Sequence, residues 1–530
     1  MNESVLDYDA IERELRLFEA EERRRLGIEA EQVDHWHDPN PQVFIRDERD
    51  TTTILLGGLT IAHDTLMTAA LSGLGYTMKA LDCPDLEALR LGKEFGNRGQ
   101  CNPTYFTVGN LIKQLTHFRD KEGMSVPEII RKYVFLTAGA CGPCRFGTYV
   151  TEYRKALVDS GFEGFRVLLF QQQGGLRQAT GDASGLEING RLFKAALQAV
   201  MAGDCLNLAG YRMRPYEVQP GETDAALEEC KTLVSDALRR RGSVVAALVR
   251  CRRRLNRVPV NRLRPKPKVS IIGEFWAMTT EGDGNHRLQR FLEAEGAEVD
   301  IQPVVTWVLY SIWENQHDTR KRLTLRGEDD SPAGLKGKDR RAKIMLLWGA
   351  EKAVRAIFGI YAHAIGLEGY QLPDMDQVAT ISHQYYDNHL RGGEGHMEVG
   401  KLIQSVEHRK AHMVISIKPF GCMPSSGVSD GVQSLITARH PEAIFTAIET
   451  TGDGEVNVQS RIQMDLFKAR KRAEAEYRSA VARTGLTEAA LESKLQSKRR
   501  GLHYPPHIVA GTAANQVLEL ARIRELSRED

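Results

Sequence analysis

From Thr51 onward the chain alternates two textures. Short apolar or β-branched runs end in Gly-rich or polar turns, and stretches with apolar residues every three or four positions follow. Thr51 to Leu56 leads through Gly57 and Gly58 into Ile61 to Ser72. Lys132 to Ala138 leads through a turn from Gly139 to Cys144 into Phe146 to Ser160, and Phe165 to Phe170 comes next. Unbroken apolar runs of this length read as strands and the period-3.6 stretches as helices, so the order predicts βαβ units on a parallel sheet. The pattern restarts at Val269 to Ile272, with a polar loop from Glu281 to Asn285, a helix from His286 to Glu295 and a strand from Val299 to Val305. A helix from Arg340 to Ile365, a mixed region to Gly400, a strand from Met413 to Ile417 and a turn from Lys418 to Gly427 follow. A helix through Ala438 and a strand from Phe445 to Ile448 complete the block. The predicted fold class is α/β, with two or more Rossmann-like parallel-sheet domains and helical extensions at both ends.

Length agrees with a multidomain chain, since 530 residues make roughly three to four domains of ordinary size. The predicted organisation is a charged helical extension over 1–50, a first α/β domain over 51–263, a basic Pro-rich linker at 264–268, a second α/β domain over 269–410, an α/β segment over 411–460 and a charged helical tail over 461–530. The linker closes a stretch from Arg239 to Lys268 that carries twelve Arg or Lys and no acid. It reads either as a patch for phosphate or CoA or as a solvated helix and hinge; without interleaved aromatics or a nucleic-acid motif, nucleic acid is not the expected partner. His35 and His37 have no thiol or carboxylate at metal-ligand spacing and read as surface residues.

Composition adds little beyond exclusion. The chain is 42% hydrophobic and 27% charged, with 71 basic against 70 acidic residues, which excludes a disordered chain and names no partner. There is no secretory signal core and no apolar run of about 18 residues, so a soluble cytoplasmic protein without a membrane partner is expected, its eight cysteines reduced.

Four of those cysteines sit in loops. Cys141 and Cys144 lie in Cys-Gly-Pro-Cys-Arg-Phe-Gly, after a strand and before a helix; Cys422 lies in Lys418-Pro-Phe-Gly-Cys-Met-Pro, also after a strand. Cys101 lies in Gly-Gln-Cys-Asn-Pro-Thr, ahead of a helix read from Thr107 to His117. Loops at the carboxyl ends of parallel strands converge on a crevice, so four thiols from three loops can meet there. A helix N-terminus favours the thiolate, the form that soft metals and iron–sulfur clusters bind. Two other chemistries stay open. Cys-Gly-Pro-Cys has the thioredoxin-like form, which gives no reason for Cys101 and Cys422, and structural zinc usually shows two close pairs where here there is one. Cys83, Cys205, Cys230 and Cys251 read as ordinary core thiols.

Several stretches together resemble the 2-hydroxyacyl-CoA dehydratase superfamily, in particular its branch related to the activators of acyl-CoA dehydratase and benzoyl-CoA reductase. They are Gln100-Cys101-Asn-Pro-Thr with Gly109-Asn110, Gly142-Pro-Cys144-Arg-Phe-Gly-Thr-Tyr149, Arg214-Pro-Tyr-Glu217, Gly273-Glu274-Phe275 with Asn285 and Glu295-Gly-Ala-Glu-Val299, Gly393-Glu394-Gly395, and Lys418-Pro-Phe-Gly-Cys422-Met-Pro424. The likeness runs from about residue 51 to 470. It implies an oxygen-sensitive iron–sulfur protein with a [4Fe-4S] or double-cubane [8Fe-9S] cluster between its domains. Cys101, Cys144 and Cys422 are the implied ligands, with Cys141 as the fourth. It also implies a separate ATP-dependent iron–sulfur activator ATPase as electron donor, an acyl-CoA or other small substrate, and a homodimer. The implied role is one-electron reduction or dehydration, with a non-catalytic cluster-carrying accessory protein as the alternative.

Near the expected crevice, Glu274 and Glu394 are candidate catalytic acids or CoA-amide partners, or else helix caps. Arg145 balances cluster charge or forms a surface ion pair, and Arg214 to Glu217 reads as a turn. Related long chains carry the ATPase fused at the N-terminus, where this chain has a short charged extension. Gly395 to Lys401 has GxxxxGK spacing, but Leu402 stands where a Mg²⁺-binding Ser or Thr is needed.

Overall fold

The computed structural model describes residues 17–18, 21–22, 24–26, 44–139, 144–171, 185–324, 339–390, 394–497 and 502–523. The chain divides into two units, 1–40 and 41–530. In the first, Leu17, Phe18 and Leu26 are exposed, and His35 and His37 lie outside the described residues.

The second unit holds two four-stranded, all-parallel sheets. The first is built from β1 (Thr53–Leu56), β2 (Thr77–Ala80), β3 (Tyr133–Gly139) and β4 (Val167–Gln171) in the order β2-β1-β3-β4. The second is built from β5 (Lys268–Gly273), β6 (Glu298–Ile301), β7 (Met413–Pro419) and β8 (Phe445–Thr450) in the order β6-β5-β7-β8. The two sheets therefore share one strand order, and in each the order reverses direction between its first and third strands. Every residue of β7 is buried, as a central parallel strand covered on both faces must be. Among the described residues, no helix is long and apolar enough to cross a membrane.

Several elements differ from the sequence-based expectation. The helix read from Thr107 begins at Asn102 and runs to Asp120, because Pro103 fits its first turn and Cys101 takes the N-cap position. The strand read from Val299 to Val305 ends at Ile301, and Val305 opens the helix Val305–Thr324. The cause is tertiary: the buried Asp204 carboxylate accepts the N–H groups of Val304 (2.6 Å) and Val305 (2.8 Å), giving that helix an N-terminal acid from a distant segment. Strand β2 was not expected, and its residues are only partly buried. The mixed region contains the helices Met375–Ser382 and Gly395–Glu407. The GxxxxGK spacing falls within the second of these, so no loop of free N–H groups is available to cradle a phosphate. The basic stretch is not simply solvated. Val244–Leu255 buries Val244, Ala247, Leu248, Cys251 and Leu255, and Arg262 is enclosed beside Tyr216. Nor is the tail a bare charged helix: Leu491, Val509, Val517 and Leu518 pack with Leu263.

Asp204 also joins the halves. Its carboxylate meets the His63 imidazole at 3.2 Å, and both side chains are almost fully buried. Burial by itself disfavours a charge on His63, but the Asp204 carboxylate outweighs it and the imidazole pKa is raised. A pKa raised on folding contributes stability that is complete below the unfolded value near ~6.5 and is lost as pH rises through the folded value. Asp204→Ala, which removes the counter-charge from a buried imidazole and leaves two N–H groups uncapped, should lower the unfolding free energy by about 3–5 kcal/mol in urea titrations. Raising the pH from 6 to 9 should lower the wild-type urea midpoint more than that of His63→Gln; parallel falls would show that the pair carries no charge.

Candidate functional site

In each sheet the strand order reverses between two neighbouring strands, and the loops leaving their carboxyl ends open a crevice. In the first sheet those strands are β1 and β3, and β3 leads to Cys144. In the second they are β5 and β7, leading to Glu274 and Cys422. The crevices of the two halves face each other. The Asn102 N–H donates to Phe420 O at 2.9 Å, which sets the backbone before Cys422 against the backbone after Cys101. Gly421 permits this contact: its φ is +77°, and a Cβ there would lie 3.2 Å from Cys101 Cα.

Cys101, Cys144 and Cys422 occupy one structural position three times over. Each is the N-cap of a helical turn, opening Asn102–Asp120, Arg145–Thr148 and Met423–Gly427 respectively. Turn N–H groups face two of the sulfurs, that of Phe146 at Cys144 and that of Ser425 at Cys422, while Cys101 is met by hydroxyls. Cys144 is within electrostatic reach of Cys101, Glu274 and Glu394, and Cys422 of Glu274 and Glu394. The structure therefore brings three of the four expected thiols and both expected carboxylates into one crevice. Cys141 lies outside the described residues.

Helix Tyr149–Asp159 fastens the Cys101 loop. Glu152, buried, accepts from Asn97 N (3.0 Å), Asn97 Nδ2 (2.9 Å) and Gln100 Nε2 (2.9 Å). Arg145 donates to Gly99 O, so it serves the loop and not a surface ion pair. Cys101 Sγ lies 3.0 Å from Tyr149 Oη and 3.2 Å from Thr104 Oγ1.

The carboxylates belong to the opposite wall. Glu274 caps Phe275–Thr279 by accepting from Ala277 N at 2.8 Å, and Glu394 accepts from Phe275 N at 2.6 Å. Both act as backbone anchors, the capping role weighed for them from sequence, and both retain some exposure to the crevice. Burial raises the pKa of each, and for Glu274 the neighbouring Glu394 charge adds to the shift. A third carboxyl, Glu398, is fully enclosed; it accepts from Ser425 Oγ at 2.9 Å, and its Oε2 has no partner. Burial, then Glu394, pushes Glu398 up to about 8. Glu398 was missed from sequence. Its signal was the four-residue spacing from Glu394, which puts both on one face of a helix only once Gly395–Glu407 is known to be one.

The other thiols lie elsewhere. Cys205, Cys230 and Cys251 are buried in one apolar cluster, and Cys83 lies beside Glu281 and Thr280. Arg214 opens the short turn Arg214–Tyr216 and pairs with Glu293 at 2.8 Å. A separate cavity of about 380 Å³ is lined by Trp313, His317, Asp376, His383, Asn388 and His389, among others, and by none of the six expected site residues.

As to what the crevice can hold, no three His, Cys, Asp or Glu side chains among the described residues are grouped to share one metal ion. A cluster sets a different requirement, because each thiolate ligates its own iron and the thiols surround a body rather than a point. Three N-cap thiols, two with turn N–H groups and one with two hydroxyls at the sulfur, fit that requirement. Burial first, with Glu274 and Glu394 adding to it and a hydrogen bond from the Phe146 N–H opposing it, raises the Cys144 thiol to about 11; Cys422 is pushed higher still by burial and Glu274. Without a metal both stay protonated, and a soft cation that binds them must displace their protons.

No protein-family model matches the chain, and no curated protein shows significant similarity to it.

In the metal-free protein, alkylation of Cys144 by iodoacetamide should accelerate about tenfold per pH unit between pH 7 and 10. Glu274→Gln should make it faster at pH 8, as read by mass spectrometry of the Cys144 peptide. A flat profile would mean a thiolate already formed. Gly421→Ala, which forces a left-handed φ onto a residue pressed against Cys101, should lower the melting temperature and disturb both Cys101 and Cys422.

Proposed function

We propose that the chain is an iron–sulfur protein of the 2-hydroxyacyl-CoA dehydratase type, with Cys101, Cys144 and Cys422, and Cys141 as the fourth, holding a [4Fe-4S] or double-cubane [8Fe-9S] cluster between two Rossmann-like halves. The observation that carries this reading is the threefold use of a cysteine at the N-cap of a helical turn, two of them following central strands of two parallel sheets with the same strand order and the third, Cys101, set against the Cys422 loop. The bound cluster supplies single electrons to a substrate. Everything else in the crevice falls to the protein's own residues.

Glu274, pushed up to about 8 by burial and the Glu394 charge, bears a proton at the crevice wall, and Glu398 holds one behind it. Dehydration and net reduction both move protons along with electrons, so acids kept neutral near pH 7 favour turnover over electron carriage alone. Lys418, buried at the end of β7, is held by both Asp430 oxygens at 2.8 Å and offers its charge to Glu398. Phe420 and Met423, both more than half exposed beside Cys422, give the mouth an apolar rim. Such a rim suits the docking of a separate ATP-dependent iron–sulfur activator as electron donor. An acyl-CoA or similar small molecule is the proposed substrate class, the cytoplasm the proposed location, and a homodimer the proposed assembly.

Anaerobic purification with iron and acid-labile sulfide analysis tests this reading. Wild-type protein should contain both, and Cys101→Ser, Cys144→Ser and Cys422→Ser should each lose most of them, while Cys230→Ser keeps the wild-type content. One zinc per chain without sulfide would sink the proposal, and equal loss in all four variants would sink the ligand assignment.

A further inference from the structure

Cys101 differs from the other two thiols in its surroundings. Its sulfur is met by two hydroxyls, Tyr149 Oη at 3.0 Å and Thr104 Oγ1 at 3.2 Å. Cys101 is 6% exposed, Tyr149 7% and Thr104 2%, so little water competes for these bonds. Either partner can donate while Cys101 is a thiol. A metal-bound thiolate has no proton, so both hydroxyls must then donate to sulfur.

Tyr149 is held in that position from the other side. It is the first residue of Tyr149–Asp159, directly after the turn that Cys144 caps, and its ring packs edge-on to Phe146 with centroids 5.2 Å apart. Its hydroxyl thus reaches one thiol loop while its backbone belongs to the next.

Resting on the iron–sulfur reading, we infer that Tyr149, assisted by Thr104, is a positioning residue that donates a hydrogen bond to the Cys101 thiolate and thereby raises the reduction potential of the bound cluster. The physical cause is charge. Reduction adds an electron to a centre whose sulfur ligands already carry negative charge, and a donor at one sulfur stabilises the reduced state more than the oxidised one.

The test compares anaerobically reconstituted wild type, Tyr149→Phe and Thr104→Val, first by iron and sulfide per chain and then by EPR-monitored redox titration. Tyr149→Phe should keep the wild-type iron and sulfide but be reduced at a more negative potential, by about tenfold in the reduction equilibrium or ~59 mV for one electron. Thr104→Val should shift in the same direction by less. A fully loaded Tyr149→Phe with an unchanged or higher potential overturns the inference and leaves the iron–sulfur reading standing. Wild-type protein without sulfide overturns both. If neither variant loads to the wild-type level, the hydroxyls place the ligand and do not tune it, and the inference falls.

Discussion

Two parallel sheets can share one crevice only if their carboxyl edges face each other, and the backbone bond from Asn102 N–H to Phe420 O fixes that meeting. It leaves little room at Gly421, whose φ of +77° already disfavours a side chain. Around it the halves interlock through loops that reach across. Glu281 accepts the Ile61 N–H at 2.7 Å, Asp283 accepts the Leu86 N–H at 3.0 Å, and Trp276 packs against Phe106 and Leu89. Behind the crevice, Asp204 extends the same joint into the core. A single buried carboxylate caps a helix of the second half and pairs with an imidazole of the first, so the distance between the sheets is held by charge as well as by contact.

The crevice chemistry depends on this rigidity. Glu274 and Glu394 reach the thiols only because each is spent on a backbone N–H of the Phe275 turn, which holds them at the wall. Glu152 performs the same service for the Cys101 loop. Carboxyls that would otherwise swing toward water are fixed by the backbone and amide groups they accept from.

The central strands were legible in the sequence because a strand covered on both faces is largely apolar, as β5 and β7 are apart from Ser270 and Ser416 and the lysines near their ends. That Cys144 and Cys422 follow central strands was also legible, but the Cys101 loop joins the helices Leu86–Phe95 and Asn102–Asp120 and does not leave a strand. What escaped was set by partners far away in sequence. The edge strand β2, Thr77-Met-Lys-Ala, has no apolar run to mark it. Val305 looks like a strand residue until Asp204 supplies its cap from a hundred positions upstream. The hydroxyl of Tyr149 finds Cys101 across 48 residues, and no spacing rule links them. Glu398 was hidden because its helix was not recognised, so its shared face with Glu394 had no meaning.

The positions of the three thiols also impose an order in time. Cys101 and Cys144 are made early, but their crevice has no opposite wall until β5 and β7 have been synthesised and Cys422 has followed. Residues 101 and 422 must close a loop of some three hundred positions before the site exists, which places its assembly among the last events of folding. During that interval the early half stands with two thiols and the edge of a sheet uncovered. Whatever the crevice receives must wait for a chain that is nearly finished.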